Sequence, residues 1–113
     1  MSYRYAIIGS GRQGAAAAYD LGKFGEAEYL LMADHDEEQA RKAVERVNDL
    51  LGTNAAEAVA LDAGNIDSVR AALADRNIDV VLSGAPYFYN LGLSRAAIKA
   101  GAGLTDLGGN SKV

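Results

Sequence analysis

The chain predicts a doubly wound α/β domain, a parallel sheet covered by helices on both faces. Three observations predict it. Short apolar runs alternate with longer stretches of helical spacing along the chain, the pattern of βαβ units. Runs such as DVVLSG are apolar at consecutive positions, as strands buried on both faces require. At 113 residues, half of them hydrophobic, there is material for one core and one domain.

The expected elements follow in order. β1 covers residues 3–8. The first helix, α1, runs from 12 to 24, rich in small residues in its first half, and stops near Gly25. β2 covers 28–33. The clearest helix, α2, spans 36–51, where Ala40, Ala43, Val44, Val47 and Leu51 share one face. Asp36 suits its N-cap with Gln39 three residues on, Glu37–Arg41 and Glu38–Lys42 are favourable i,i+4 pairs, and Gly52 can close the end. β3 is expected at 58–61. A third helix, α3, starts at 65 or 66, ends about 74, and buries Ile66, Val69 and Leu73. β4 covers 79–82, α4 runs from about 89 to 100 with Gly101 as its stop, and β5 covers 103–107. Each crossover between parallel strands is expected to be right-handed.

Composition narrows the function classes. A net charge of −4 with scattered basic residues argues against nucleic acid or an anionic membrane face as partner. The absence of Cys removes disulfides, thiolate metal sites and a Cys nucleophile, and one His removes His-rich clusters, so no metal is expected. No secretory signal or membrane-length apolar run is evident, so a cytoplasmic protein is the expectation.

The stretch AIIGSGRQGAAAAYDLG carries the chemistry. Gly9, Gly11 and Gly14 form G-x-G-x-x-G between a strand and a helix, the context that gives this common spacing its meaning. Gly9 permits the tight turn, Gly11 lets a pyrophosphate approach the backbone, and Gly14 lets the helix sit near the sheet. Gly14, Ala17 and Ala18 keep the inner surface of α1 shallow. The helix N-terminus, with its unpaired N–H groups and positive dipole end, suits a phosphate. The competing reading is a glycine turn chosen only for close packing. The fold class is therefore a Rossmann-type sheet of about five strands, and the expected partner is a dinucleotide. Ser10, Arg12 and Gln13 belong to the same loop.

Asp34 follows twenty residues after Gly14, where a carboxylate accepts from the ribose hydroxyls and repels a 2′-phosphate. NAD is thereby favoured, with NADP as the alternative, since Arg12 in the loop and His35 after the acid could help hold an extra phosphate. Against these stand a surface cation and a solvated loop histidine. Asp62, taken as the end of β3, either accepts from the adenine amino group or starts the turn into α3. Ser83, Gly84, Ala85 and Pro86 end β4 at the switch point, where the nicotinamide half would approach the backbone. Tyr87 to Asn90 and the TDLGGN stretch lie at the same carboxyl edge without an assigned role.

The segments YAIIGSGRQG, MAD, LDAGN and VVLSGAPYFYNLGLSRAAIKAGAGLTDLGGN together resemble the nucleotide-binding part of the saccharopine dehydrogenase family, whose relatives include lysine dehydrogenases and carboxyspermidine-type dehydrogenases. The D-V-V-x-x-x-A-P and A-x-x-A-G-x-x-x-x-D-L patterns are the more specific part. The resemblance implies a pyridine-nucleotide-dependent oxidoreductase working at a carbon–nitrogen bond of an amino acid or its conjugate, as in lysine metabolism. It implies that Gly9, Gly11 and Gly14 hold the pyrophosphate, Asp34 the adenosine ribose, Asp62 the adenine, and residues 83–86 the nicotinamide side. Family members continue into a substrate domain and a sixth strand, so residues 1–113 are expected to be the cofactor domain of a longer enzyme, inactive alone and prone to self-association. Catalytic residues stay unassigned. Two other classes remain open: a nucleotide-sensing regulatory domain of a transporter, and a short-chain-type NADP reductase. Against the latter, a Tyr-x-x-x-Lys pair is expected to be absent.

Overall fold

β1, Tyr3–Ile8, is the central strand of a five-stranded parallel sheet of order β3-β2-β1-β4-β5. A computed structural model describes residues 2–9, 11–84 and 89–106. The elements are α1 (Arg12–Phe24), β2 (Ala27–Asp34), α2 (Glu37–Leu51), β3 (Ala56–Ala60), α3 (Ile66–Asp75), β4 (Val80–Ser83), α4 (Asn90–Ala100) and β5 (Gly103–Asp106). The doubly wound α/β class is as expected.

Alternation along β1 and β2 builds two cores. Tyr5, Ile7, Leu30 and Met32 pack on one face with Ala18 of α1 and Ala43 and Val47 of α2. Ala6, Ile8, Leu31 and Ala33 pack on the other with Val69 and Leu73 of α3 and Leu93, Ala96 and Ala97 of α4. Ile7, Ile8, Leu30, Leu31 and Met32 are almost wholly buried, each contributing about 1.5–3 kcal/mol by leaving water. That double burial is why both strands read as unbroken apolar runs.

Capping matches the sequence in most places. Asp36 accepts from the backbone N–H groups of Glu38 (3.0 Å) and Gln39 (3.3 Å), and Gly52 closes α2 with φ +70°. Asn65 caps α3 through the Ser68 N–H, and Gly101 ends α4 with φ +83°. Three details differ. Arg41 pairs with Glu38 at i,i+3 (2.8 Å) rather than with Glu37. Ile66 is only partly covered while Ala72 is buried with Val69 and Leu73. β3 begins at Ala56 and stops at Ala60, short of Leu61. It is an edge strand with Glu57 turned outward, and a search for continuous apolar runs passes over such alternation.

The amino-terminal edge of the sheet is held by polar contacts. The Arg4 guanidinium lies 4.3 Å from the centroid of the Tyr29 ring and donates to the Arg76 carbonyl (2.7 Å) and to Glu28 (3.1 Å). The Tyr29 hydroxyl donates to Glu57. Burial first, and then that carboxylate, push the Tyr29 hydroxyl up to about 12. Gly9, Gly11, Gly14, Asp34 and Asp62 lie at the opposite, carboxyl edge.

Candidate functional site

Three loops leave the carboxyl edge side by side, each tied to its neighbour just beyond the ladder. The Gly9 N–H donates to Ala33 O (2.7 Å), the Gly84 N–H to Ile8 O (2.7 Å) and the Leu61 N–H to Asp34 O (2.8 Å). Between β1 and β4 the chain departs to opposite faces of the sheet, leaving a crevice at the switch point. The resulting cleft is about 650 Å³, within the range of small-molecule sites.

The three glycines differ in what they do. Gly9 has φ +95°, a left-handed conformation that turns the chain sharply out of β1. A Cβ on Gly14 would lie 2.1 Å from the Gly9 carbonyl oxygen and 3.2 Å from Ile7 Cγ2, so bare backbone is needed for α1 to rest on the turn. A Cβ on Gly11 would meet only Gln39 Nε2, at 3.8 Å, and would otherwise project into open space. Gly11 is the N-cap residue of α1, whose first turn holds no acid and makes no side-chain cap. The positive end of this helix therefore opens on a cradle shaped by missing side chains, the fit a phosphate group requires.

Asp34 ends β2 with its carboxylate almost buried. Oδ1 accepts from the Asp36 N–H (2.9 Å) and lies 3.2 Å from His35 Nδ1; Oδ2 accepts from Gln39 Nε2 (3.3 Å). His35 is otherwise largely exposed. Gly9, Gly11, Arg12, Gln13, Gly14, Asp34, His35, Asp62 and Gly84 all line the cleft. Asp62 does not end a strand: it lies two residues past β3, and its Oδ1 accepts from the Gly64 N–H (2.8 Å), starting the turn toward α3. Ser83 is fully buried within the ladder, opposite Ile8, and does not line the cleft. Ser10, Ala85, Pro86, Tyr87 and Phe88, with the LGGN stretch at 107–110, lie outside the described residues.

The sequence did not point to Gln39 as a cleft residue, and it set Tyr89 at the carboxyl edge without a role. Gln39 was expected only at the helix cap. Tyr89 reaches the wall from the start of α4, its ring edge 3.2 Å from where a Gly64 Cβ would stand. A Tyr-x-x-x-Lys spacing does occur within α1, at Tyr19 and Lys23, whose polar ends are 3.2 Å apart. Tyr19 borders a wider hollow between α1 and α2 with Lys42 and Arg46, not the cleft, so the pair is not placed to act on a bound nicotinamide. Among the described residues no group of three or more His, Asp or Glu is arranged to hold a metal, and no helix is long and apolar enough to cross a membrane.

Residues 5–112 match the family described as the saccharopine dehydrogenase NADP binding domain. The chain belongs to that family. Among solved structures it is similar to apo saccharopine dehydrogenase (L-Glu forming) from Saccharomyces cerevisiae, with TM-score 0.69 and 22% identity, covering 92% of this chain and 21% of that one. A myo-inositol dehydrogenase from Corynebacterium glutamicum matches at TM-score 0.71 and 26% identity over 94% of this chain and 28% of its own. UDP-glucose-4-epimerase from Stenotrophomonas maltophila, solved with NAD bound, matches at TM-score 0.79 and 21% identity over 92% and 36%. The chain thus spans about a fifth to a third of these proteins. As a member of the family it is an NAD(P)-binding domain of the dehydrogenase type, and the cleft is the place in it that suits a dinucleotide.

Proposed function

We propose that this domain binds a nicotinamide dinucleotide for an oxidoreductase that moves hydride to or from a carbon bonded to nitrogen in an amino acid or amino-acid conjugate. In this reading the pyrophosphate rests on Gly9, Gly11 and Gly14 at the start of α1, and the adenosine ribose meets Asp34. The nicotinamide crosses the switch point beside Gly84, with Ala85 and Pro86 next in the chain. The nicotinamide supplies the hydride chemistry, while this chain contributes position and electrostatics. Substrate and acid–base residues belong to a part of the enzyme that this chain does not match, and the domain alone is inactive.

The observation that carries the reading is the difference between two glycines, Gly14 closed by backbone and Gly11 open to the cleft. NAD is the preferred coenzyme because Asp34 stands buried and acidic where a 2′-phosphate would arrive. Arg12 and His35 line the same cleft and are the groups that would soften that preference. Calorimetric titration of the domain with NADH and NADPH tests both parts. Tighter NADH binding is expected; no binding of either removes the reading, and tighter NADPH binding removes the ribose assignment. Self-association belongs to the same proposal, since β5 ends the sheet order and Leu91 and Ile98 of α4 are exposed.

A further inference from the structure

We infer that Gln39 is the positioning residue that sets coenzyme choice, by clamping the Asp34 carboxylate to the first turn of α2. The inference rests on the dinucleotide reading and deepens it. In a capping box the Gln at this position would return its side chain to the N–H of the capping residue, here Asp36. That N–H already donates to Asp34 Oδ1 (2.9 Å), and the Gln39 amide instead donates to Asp34 Oδ2 (3.3 Å). The Gln39 side chain thus turns from the cap to the acid at the end of β2. Asp36 itself still caps the helix, through the Glu38 and Gln39 N–H groups. Each oxygen of Asp34 therefore has a donor from the same helix end, and the plane of the carboxylate is fixed relative to the cleft.

Placement gives the clamp its consequence. Gln39 lines the cleft, and its Nε2 lies 3.8 Å from the Cβ position of Gly11. The amide therefore stands between the glycine turn, where phosphate is expected, and the acid, where the ribose is expected. A 2′-hydroxyl can donate to a carboxylate held in this way. A 2′-phosphate cannot be admitted unless Asp34 swings aside, and swinging aside breaks both bonds to α2. Arg12 and His35 are the cations on the cleft wall, and from α2 it is Gln39 that reaches Oδ2. His35 Nδ1 lies 3.2 Å from Oδ1, the oxygen that the Asp36 N–H also engages.

The test is calorimetry on wild type, Gln39→Met and Gln39→Glu with three ligands: NAD⁺, its adenosine 2′-deoxy analogue, and NADP⁺. Gln39→Met keeps the shape and loses the donor; Gln39→Glu adds a carboxylate beside Asp34. Because Gln39 is exposed and the bond is long, the expected loss for NAD⁺ is about fivefold, that of an ordinary hydrogen bond rather than of a full one to a charged group. The deoxy analogue should change by less than about twofold, and the NAD⁺/NADP⁺ ratio should fall with NAD⁺ affinity. Gln39→Glu should weaken NAD⁺ at least as much. In the Asp34→Ser background, Gln39→Met should have no further effect on NAD⁺, because the two residues act as one unit. Equal losses for NAD⁺ and the deoxy analogue, or additive losses in the double variant, overturn the inference while leaving dinucleotide binding intact. A wild type that binds none of the three ligands overturns the dinucleotide reading and this inference with it.

Discussion

Alanine at Gly14 and alanine at Gly11 should have opposite consequences, although both residues belong to one fingerprint. At Gly14 the new methyl carbon would lie 2.1 Å from the Gly9 carbonyl oxygen, where ordinary contact begins near 3.4 Å. The obstacle is backbone, so relief requires α1 to retreat from β1 by about 1 Å. Overpacking of this kind costs about 3 kcal/mol, and the better helix propensity of alanine returns about 1, leaving a net loss of about 2 kcal/mol. Urea unfolding followed by circular dichroism measures it, and the melting point should drop by roughly 8 °C. At Gly11 the methyl meets only Gln39 Nε2 at 3.8 Å, so stability should hold within about 0.5 kcal/mol. Its methyl would instead occupy the cradle, weakening NADH by about tenfold or more, and Gly11→Val should abolish binding in a folded domain. A Gly14→Ala domain as stable as the parent would refute the helix-contact argument. A Gly11→Ala domain with unchanged NADH affinity would refute the idea that phosphate meets bare backbone there.

Asp34→Ser should weaken NADH by about tenfold and improve NADPH, as removal of a carboxylate that bonds ribose and repels phosphate requires; titration with both coenzymes decides it. Asn48→Ala should lower stability by about 2 kcal/mol in urea, because its amide donates to Ala56 O (3.1 Å) and its carbonyl accepts from Ala56 N (3.0 Å), pinning the edge strand to α2. The Tyr29 hydroxyl is raised from 10.0 to about 12, so the folded state holds this proton more tightly than the unfolded one. Its contribution is complete below pH 10 and is lost as pH rises toward 12; the unfolding midpoint of wild type should fall across that window more steeply than that of Tyr29→Phe. Sedimentation at rising concentration should show self-association that Leu91→Glu with Ile98→Glu reduces, whereas a monomer throughout would dispose of the exposed apolar face as a contact.

How much was legible depended on whether a feature is local. β1 and β2 are covered on both faces and announce themselves as apolar runs, and Asp36, Asn65, Gly52 and Gly101 cap their helices by local geometry alone. The fingerprint glycines were legible because each answers a backbone demand. β3 was misplaced at its start because an edge strand alternates, and Glu57 belongs to a contact with Tyr29 on another strand. Asp62 was set at a strand end because the apolar run continues to Leu61, whereas the ladder stops at Ala60 and the acid serves its own turn. Gln39 was assigned to a cap whose donor Asp34 had already taken, a competition visible only once β2 and α2 are set at their actual angle. Tyr89 lines the cleft beside Gly64, which arrives from a loop far away in sequence.

Chemical-shift mapping of backbone amides during titration with NADH shows directly whether the dinucleotide lies at the carboxyl edge of β1, β2 and β4. The largest changes are expected at Gly11 to Gly14, at Asp34 to Gln39 and at Gly84, saturating together. Changes centred on Arg4, Tyr29 and Glu57 at the opposite edge of the sheet, or on Tyr19, Lys42 and Arg46 in the hollow between α1 and α2, would contradict that placement.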